Sequence, residues 1–98
     1  MNAQENNKMI AEFMGKEIYQ KYHESKYHTE WNWLMPVVEK IESLGYDTEL
    51  VNRLDEGGNF FCINDSIVPQ THAETKLEAT YQAVVEFINQ YNKNESID

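Results

Sequence analysis

The sequence predicts a single α+β domain, in which two long amphipathic helices and a short N-terminal helix pack on a small antiparallel sheet. The chain has 98 residues, which is the size of one domain. Two stretches carry apolar residues at every third or fourth position, as one face of a helix does. Between them lies an alternating stretch followed by paired glycines, which is typical of a β-hairpin. We expect the order α-β-α-β-β-α over residues 1–98, with frayed ends at 1–5 and 94–98, in two layers or alternatively as an α/β/α sandwich.

The first two elements are expected to be short. Apolar side chains within residues 9–14 are spaced like one face of a helix. Asn6 or Asn7 would cap the start of this helix, and Gly15 would end it. Residues 17–22 would place Ile18 and Tyr22 on one face and Tyr19 on the other, which predicts a short strand.

The second helix has the clearest pattern. Thr29 is suited to cap its start, and Gly45 to end it. Pro36 lies inside the pattern and removes one backbone hydrogen bond, so either the helix bends there or its regular part begins there. We expect one helix with a bend. Its apolar stripe comprises Trp33, Leu34, Val37, Val38, Ile41 and Leu44.

A hairpin is expected after this helix. Residues 46–54 have the period of a half-exposed strand, and residues 60–63 form a short apolar strand. Between them, residues 55–59 include Gly57 and Gly58, which supply turn conformations without strain. The two strands are therefore predicted to pair in antiparallel fashion.

The last helix is the longest element in the prediction. Thr71 and Glu74 match a capping box, which predicts that the helix begins at Thr71 after a loop at residues 64–70. The helix is expected to end near Lys93. Its apolar stripe comprises Leu77, Tyr81, Val84, Ile88 and Tyr91.

The charge of the chain disfavours several classes of partner. Seventeen acidic residues against eight basic ones give a net charge of −9. Nucleic acids and anionic lipids are bound by basic patches, whereas the basic residues here are scattered among acidic ones. We therefore expect no direct nucleic-acid binding, although an acidic surface can meet a basic groove on a partner protein. Because the sequence has neither an apolar stretch of about 20 residues nor a secretory signal pattern, we expect a cytoplasmic protein without a membrane partner.

No catalytic or metal-binding motif stands out in the sequence. His23, Glu24 and His28 are spaced one residue too far apart for the helical His-Glu-x-x-His motif. Cys62 is the single cysteine and lies in an apolar run, which predicts a buried structural thiol. The serines lack the Gly-x-Ser-x-Gly setting of a nucleophile. We therefore expect a protein that is not an enzyme and that holds no metal and no cofactor.

The candidate binding residues are aromatic and acidic. Trp31 and Trp33 are about 200° apart around a helix, so Trp31 lies at an edge if Trp33 packs inward. An exposed tryptophan is a common anchor for a partner, and the alternative is that Trp31 covers the core from the side. Asp55 and Glu56 place adjacent carboxylates in the hairpin turn. The predicted binding residues are Tyr27, Trp31, Asp55 and Glu56.

Residues 31–41 have the sequence Trp-x-Trp-Leu-Met-Pro-Val-Val-Glu-Lys-Ile. This motif, together with the flanking stretches at 7–15 and 79–88, resembles small uncharacterised proteins of bacteriophages, prophages and related mobile elements. More distantly, the chain is similar to the phage α/β/α (ABA) sandwich domain, in which a tryptophan-rich segment leads into a helix that ends in Glu-Lys and precedes a strand. The resemblance implies a genomic context and helices on both faces of a sheet. It implies no catalytic or binding residues.

We accordingly expect a non-enzymatic phage or mobile-element accessory protein that binds a host or phage protein. In its concrete form it would be an acidic inhibitor of a host defence system, similar in action to an anti-CRISPR protein. The alternative is a small-ligand or nucleotide-binding domain without catalysis, in which Trp31 and tyrosines stack a base. A homo-oligomer is compatible with either hypothesis.

Overall fold

The computed structural model describes residues 3–15, 26–53, 58–63 and 71–97. These residues form an α+β fold, as predicted. The observed order is α-α-β-β-β-α, and the strand predicted at residues 17–22 lies outside the described residues. The elements are α1 (Ala3–Phe13), α2 (Trp31–Ser43), β1 (Thr48–Arg53), β2 (Gly58–Ile63), β3 (Thr71–Ala73) and α3 (Lys76–Ile97).

The sheet is antiparallel with the strand order β1-β2-β3, and the predicted hairpin is confirmed. Leu50 of β1 lies opposite Phe61 of β2, and burial alternates along β2 so that Phe61 and Ile63 are buried. Cys62 lies on the opposite face and is half-buried, so the expectation of a buried thiol was wrong. The reason is that successive residues of a strand point to opposite faces of the sheet.

The capping box predicted at Thr71 and Glu74 is wrong, because Thr71 belongs to the third strand and pairs with β2. The same Thr-x-x-Glu pattern recurs four residues later. There, the backbone N–H of Glu78 donates a hydrogen bond of 3.1 Å to Oγ1 of Thr75, as a helix N-cap requires. Because Thr71 is paired in the sheet and Thr75 is not, Thr75 caps the helix and α3 begins after it.

The first helix begins earlier than predicted. Because α1 starts at Ala3, Asn6 and Asn7 are interior residues and do not cap it. Gly15 ends the helix as expected, with a φ of 80° and a backbone N–H that donates to the Glu12 carbonyl at 3.0 Å. This shift of the start places both asparagines on the body of a helix, where their side chains can meet other elements.

The second helix runs through Pro36 without a break, so the expectation of one helix is confirmed and a start at Pro36 is excluded. Its N-cap is Glu30, which makes no side-chain capping hydrogen bond; the predicted cap, Thr29, lies in the turn before it. Gly45 follows the helix with a φ of 103°, and its N–H donates to the Glu42 carbonyl at 3.0 Å. This is the predicted glycine stop.

The core forms where α3 packs on the sheet and where α1 and α2 pack on α3. Most of the two predicted apolar stripes is buried there, but Leu44 is exposed and α3 continues past Lys93 to Ile97. None of the described helices combines the length and the apolar character needed to cross a membrane. Among the residues that the structure describes, the fully buried apolar side chains are Ile10, Leu34, Val37, Ile41, Val84 and Ile88, with alanines of α3.

Candidate binding surfaces

The exposed edge of α2 carries two large apolar side chains. Trp31 is 37% exposed and Met35, one helical turn later, is 42% exposed. Residues four apart lie on the same side of a helix, so these two side chains form one apolar strip. Glu39, a further turn along, is also exposed and continues this side of the helix with a carboxylate. We call Trp31, Met35 and Glu39 the α2 edge.

The other aromatic residues of this region pack inward. The Trp33 ring meets the Tyr27 ring edge-to-face, with 5.2 Å between centroids and an interplanar angle of 85°. Tyr27 is only 3% exposed, and this burial raises the pKa of its phenol. Of the predicted binding residues, Trp31 is therefore exposed and Tyr27 lies in the core, whereas Asp55 and Glu56 lie outside the described residues.

A small cavity of about 270 Å³ lies beside this aromatic pair. It is lined by Met14, Tyr27, Asn32, Trp33 and Pro36, and Trp31 is not among its lining residues. The arrangement proposed from sequence, in which Trp31 and tyrosines stack a base together, therefore gains no support from this cavity.

A buried polar network joins α1, α3 and the turn before α2. Asn7 is 2% exposed, and its Oδ1 accepts a hydrogen bond of 3.0 Å from the Tyr81 hydroxyl. Its Nδ2 lies 3.0 Å from Nδ1 of His28. Since an amide nitrogen only donates, this contact requires that His28 carry its proton on Nε2. Both ends of the Asn7 side chain are thus satisfied across three segments of the chain.

Tyr81 and Asn6 extend this network to the surface of a pocket. Burial raises the pKa of Tyr81, and a hydrogen bond with the Asn6 side chain acts in the opposite, smaller direction. The Oδ1 of Asn6 is buried and has no hydrogen-bond partner among the described residues. An unpaired buried acceptor is uncommon in folded proteins and costs about 1–3 kcal/mol.

The pocket has a volume of about 540 Å³ and lies between α1, β3 and α3. Its polar walls come from all three elements, and Val85 supplies an apolar wall. At its rim, the imidazole of His72 stacks on the Phe60 ring with 4.7 Å between centroids. The lining residues are Asn6, Thr71, His72, Tyr81, Gln82, Val85 and Glu86. We call this the Asn6–Glu86 pocket.

Sequence reasoning missed this pocket and the network behind it, although one signal was present. Asn7 lies three and seven positions before Ile10 and Met14, so it continues their helical stripe by one turn. A polar residue on an apolar stripe indicates a buried hydrogen bond. Asn7 is equally suited to cap a helix, so the sequence alone does not single out this signal, and the partner Tyr81 is 74 residues away.

We predict that Asn7→Ala lowers the free energy of unfolding by about 1–2 kcal/mol, because the Tyr81 hydroxyl loses its acceptor in a buried place. Chemical denaturation of the full chain measures this loss. Asn32→Ala, at an exposed position of α2, is the matched control and should change stability by less than about 0.5 kcal/mol. Equal stability of the two variants would show that the Asn7 network contributes nothing.

Among the described residues, no group of three His, Cys, Asp or Glu side chains is placed to hold a metal ion. The chain has no match among protein-family models, curated proteins or solved structures. The α2 edge and the Asn6–Glu86 pocket are therefore interpreted from their own chemistry.

Proposed function

We propose that the protein acts by binding another protein, without catalysis, and that the α2 edge is the contact surface. The observation that carries this proposal is the exposure of Trp31 and Met35 one turn apart on a helix whose opposite side is buried. Tryptophan supplies a large part of the binding free energy at many protein interfaces. Methionine adapts its shape to a partner surface at little cost.

The charge of the chain supports a particular kind of partner. Glu39 follows Trp31 and Met35 on the same side of α2, and the whole chain has a net charge of −9. An apolar anchor followed by a carboxylate is complementary to an apolar pocket bordered by basic residues. Opposite charges of this kind speed association and make binding sensitive to salt.

In its concrete form, the proposed partner is a nucleic-acid-processing protein of a bacterial host defence system, and this chain is a phage or mobile-element inhibitor that occupies its basic groove. The observation that supports this form is the excess of acidic residues. The phage or mobile-element origin is an expectation from the resemblance of residues 31–41 and is part of the proposal. Basic grooves that bind nucleic acid are surfaces which an acidic protein can cover.

The experiment is a comparison of captured proteins. The full chain is immobilised and exposed to bacterial lysate at low and moderate salt, beside Trp31→Ala and a matched control, Leu50→Ala, which removes an exposed apolar side chain from β1. We expect a protein that the original chain and Leu50→Ala capture and that Trp31→Ala loses. Capture of no protein, or equal capture by both variants, would contradict the proposal.

A further inference from the structure

We propose that the Asn6–Glu86 pocket binds a small organic cation of the alkylammonium or alkylguanidinium class. A volume of about 540 Å³ falls within the range of pockets that hold small molecules. The pocket lies on α1, β3 and α3, and it shares no lining residue with the α2 edge. The inference is therefore independent of the proposed protein contact.

The charges around the pocket favour a cation. Glu86 is exposed, and its carboxylate makes no ion pair or hydrogen bond with the described residues. None of the described lining residues is Lys or Arg. Phosphates and carboxylates are bound by such basic groups, so a nucleotide is a poor fit. A cation is a good fit, because a carboxylate at the rim attracts it.

The pocket also supplies hydrogen-bond acceptors. Asn6 lines the pocket, and its Oδ1 is covered from solvent without a hydrogen-bond partner among the described residues, so a bound donor satisfies it when the amide turns toward the pocket. Gln82, one turn before Glu86 on α3, adds an amide whose oxygen also makes no hydrogen bond with the described residues. Ammonium and guanidinium groups carry several donors and no acceptor, and they match such a set of groups.

The remaining wall of the pocket is aromatic and aliphatic. The Tyr81 ring offers an aromatic surface, on which cations are held by the electrostatic attraction of the ring face. Val85 offers an apolar surface that methylene groups can cover. A cationic head with a short alkyl chain would therefore use both surfaces, as an alkylammonium or alkylguanidinium ion does.

The same chemistry occurs in free amines and in the side chains of lysine and arginine, and the probes distinguish these sources. Agmatine and butylammonium represent the free cation, N-acetylarginine amide represents a protein side chain, and AMP represents an anionic nucleotide. Binding to the full chain is followed by calorimetry and by chemical-shift changes of backbone amides. We expect agmatine or butylammonium to bind more tightly than AMP, with shifts concentrated around the pocket.

Two glutamate variants distinguish binding in the pocket from general attraction of a cation to an acidic protein. Glu86→Gln should weaken agmatine binding about tenfold or more, since it removes the rim carboxylate. Glu78→Gln is the matched control, an exposed glutamate of the same helix that does not line the pocket, and it should leave the affinity unchanged.

Three results would overturn the proposal of a site for free cations. The first is the absence of binding by either free cation up to about 10 mM, which corresponds to a negligible affinity. The second is an equal loss of affinity in the two glutamate variants. The third is binding by N-acetylarginine amide alone, which would assign the pocket to a partner's side chain. Failure of the capture experiment with Trp31→Ala would leave all of these results unaffected.

Discussion

Replacing Ile88 with alanine is expected to lower the free energy of unfolding by about 2–5 kcal/mol, the range for a large apolar side chain removed from a packed core. Ile88 is fully buried in α3, the helix that packs on the sheet and on both other helices. The surrounding side chains cannot collapse fully into the space, so the cost includes a cavity as well as lost burial.

Chemical denaturation with far-ultraviolet circular dichroism measures this effect. Leu44→Ala is the matched control, because Leu44 is an aliphatic residue of similar size that is exposed after α2. It should change stability by less than about 0.5 kcal/mol. If Ile88→Ala were no more destabilising than Leu44→Ala, Ile88 would not belong to the packed core.

Replacing Gly58 with alanine is the second large effect, with an expected loss of about 2–4 kcal/mol from steric overlap and backbone strain. A β-carbon at Gly58 would lie 2.8 Å from the carbonyl oxygen of Ala73 and 3.0 Å from Nε2 of His72. Gly58 also has a φ of 154°, which side chains rarely adopt. The contact is between neighbouring strands, so relieving it would displace β3 from β2.

Gly45→Ala measures the backbone strain without the steric overlap, so the difference between the two variants gives the steric part. Gly45 also has a positive φ, 103°, but a β-carbon there would meet nothing within 4 Å. We expect Gly45→Ala to cost about 1–2 kcal/mol from strain alone. A thermal or chemical denaturation series in which the two variants lose equal stability would show that β3 does not approach Gly58 closely.

The elements that the sequence predicts correctly are those specified by local patterns. The hairpin of β1 and β2 follows from an alternating stretch before a glycine pair and a short apolar run after it. The helix α2 follows from a continuous apolar stripe ended by Gly45. The positions of Trp31 and Trp33 on different sides of α2 follow from helix geometry alone. In each case the information lies within about fifteen residues of the element.

The elements that the sequence misses depend on contacts between distant segments. β3 is three residues long, Thr71–Ala73, and has no period of its own; it is a strand only because β2 pairs with it. The Asn6–Glu86 pocket likewise needs α1, β3 and α3 to come together. No spacing of residues along the chain encodes the meeting of Asn7 with Tyr81.

The proposed function depends most directly on the presentation of Trp31 to solvent, and quenching of tryptophan fluorescence by acrylamide tests it. The chain has two tryptophans, so Trp33→Phe leaves Trp31 as the only reporter and Trp31→Phe leaves Trp33. Phenylalanine at position 33 retains an aromatic ring against Tyr27. We predict stronger quenching and a redder emission maximum in Trp33→Phe than in Trp31→Phe. Equal or weaker quenching of Trp31 would show that it is covered within its own chain, which would contradict a protein contact at the α2 edge.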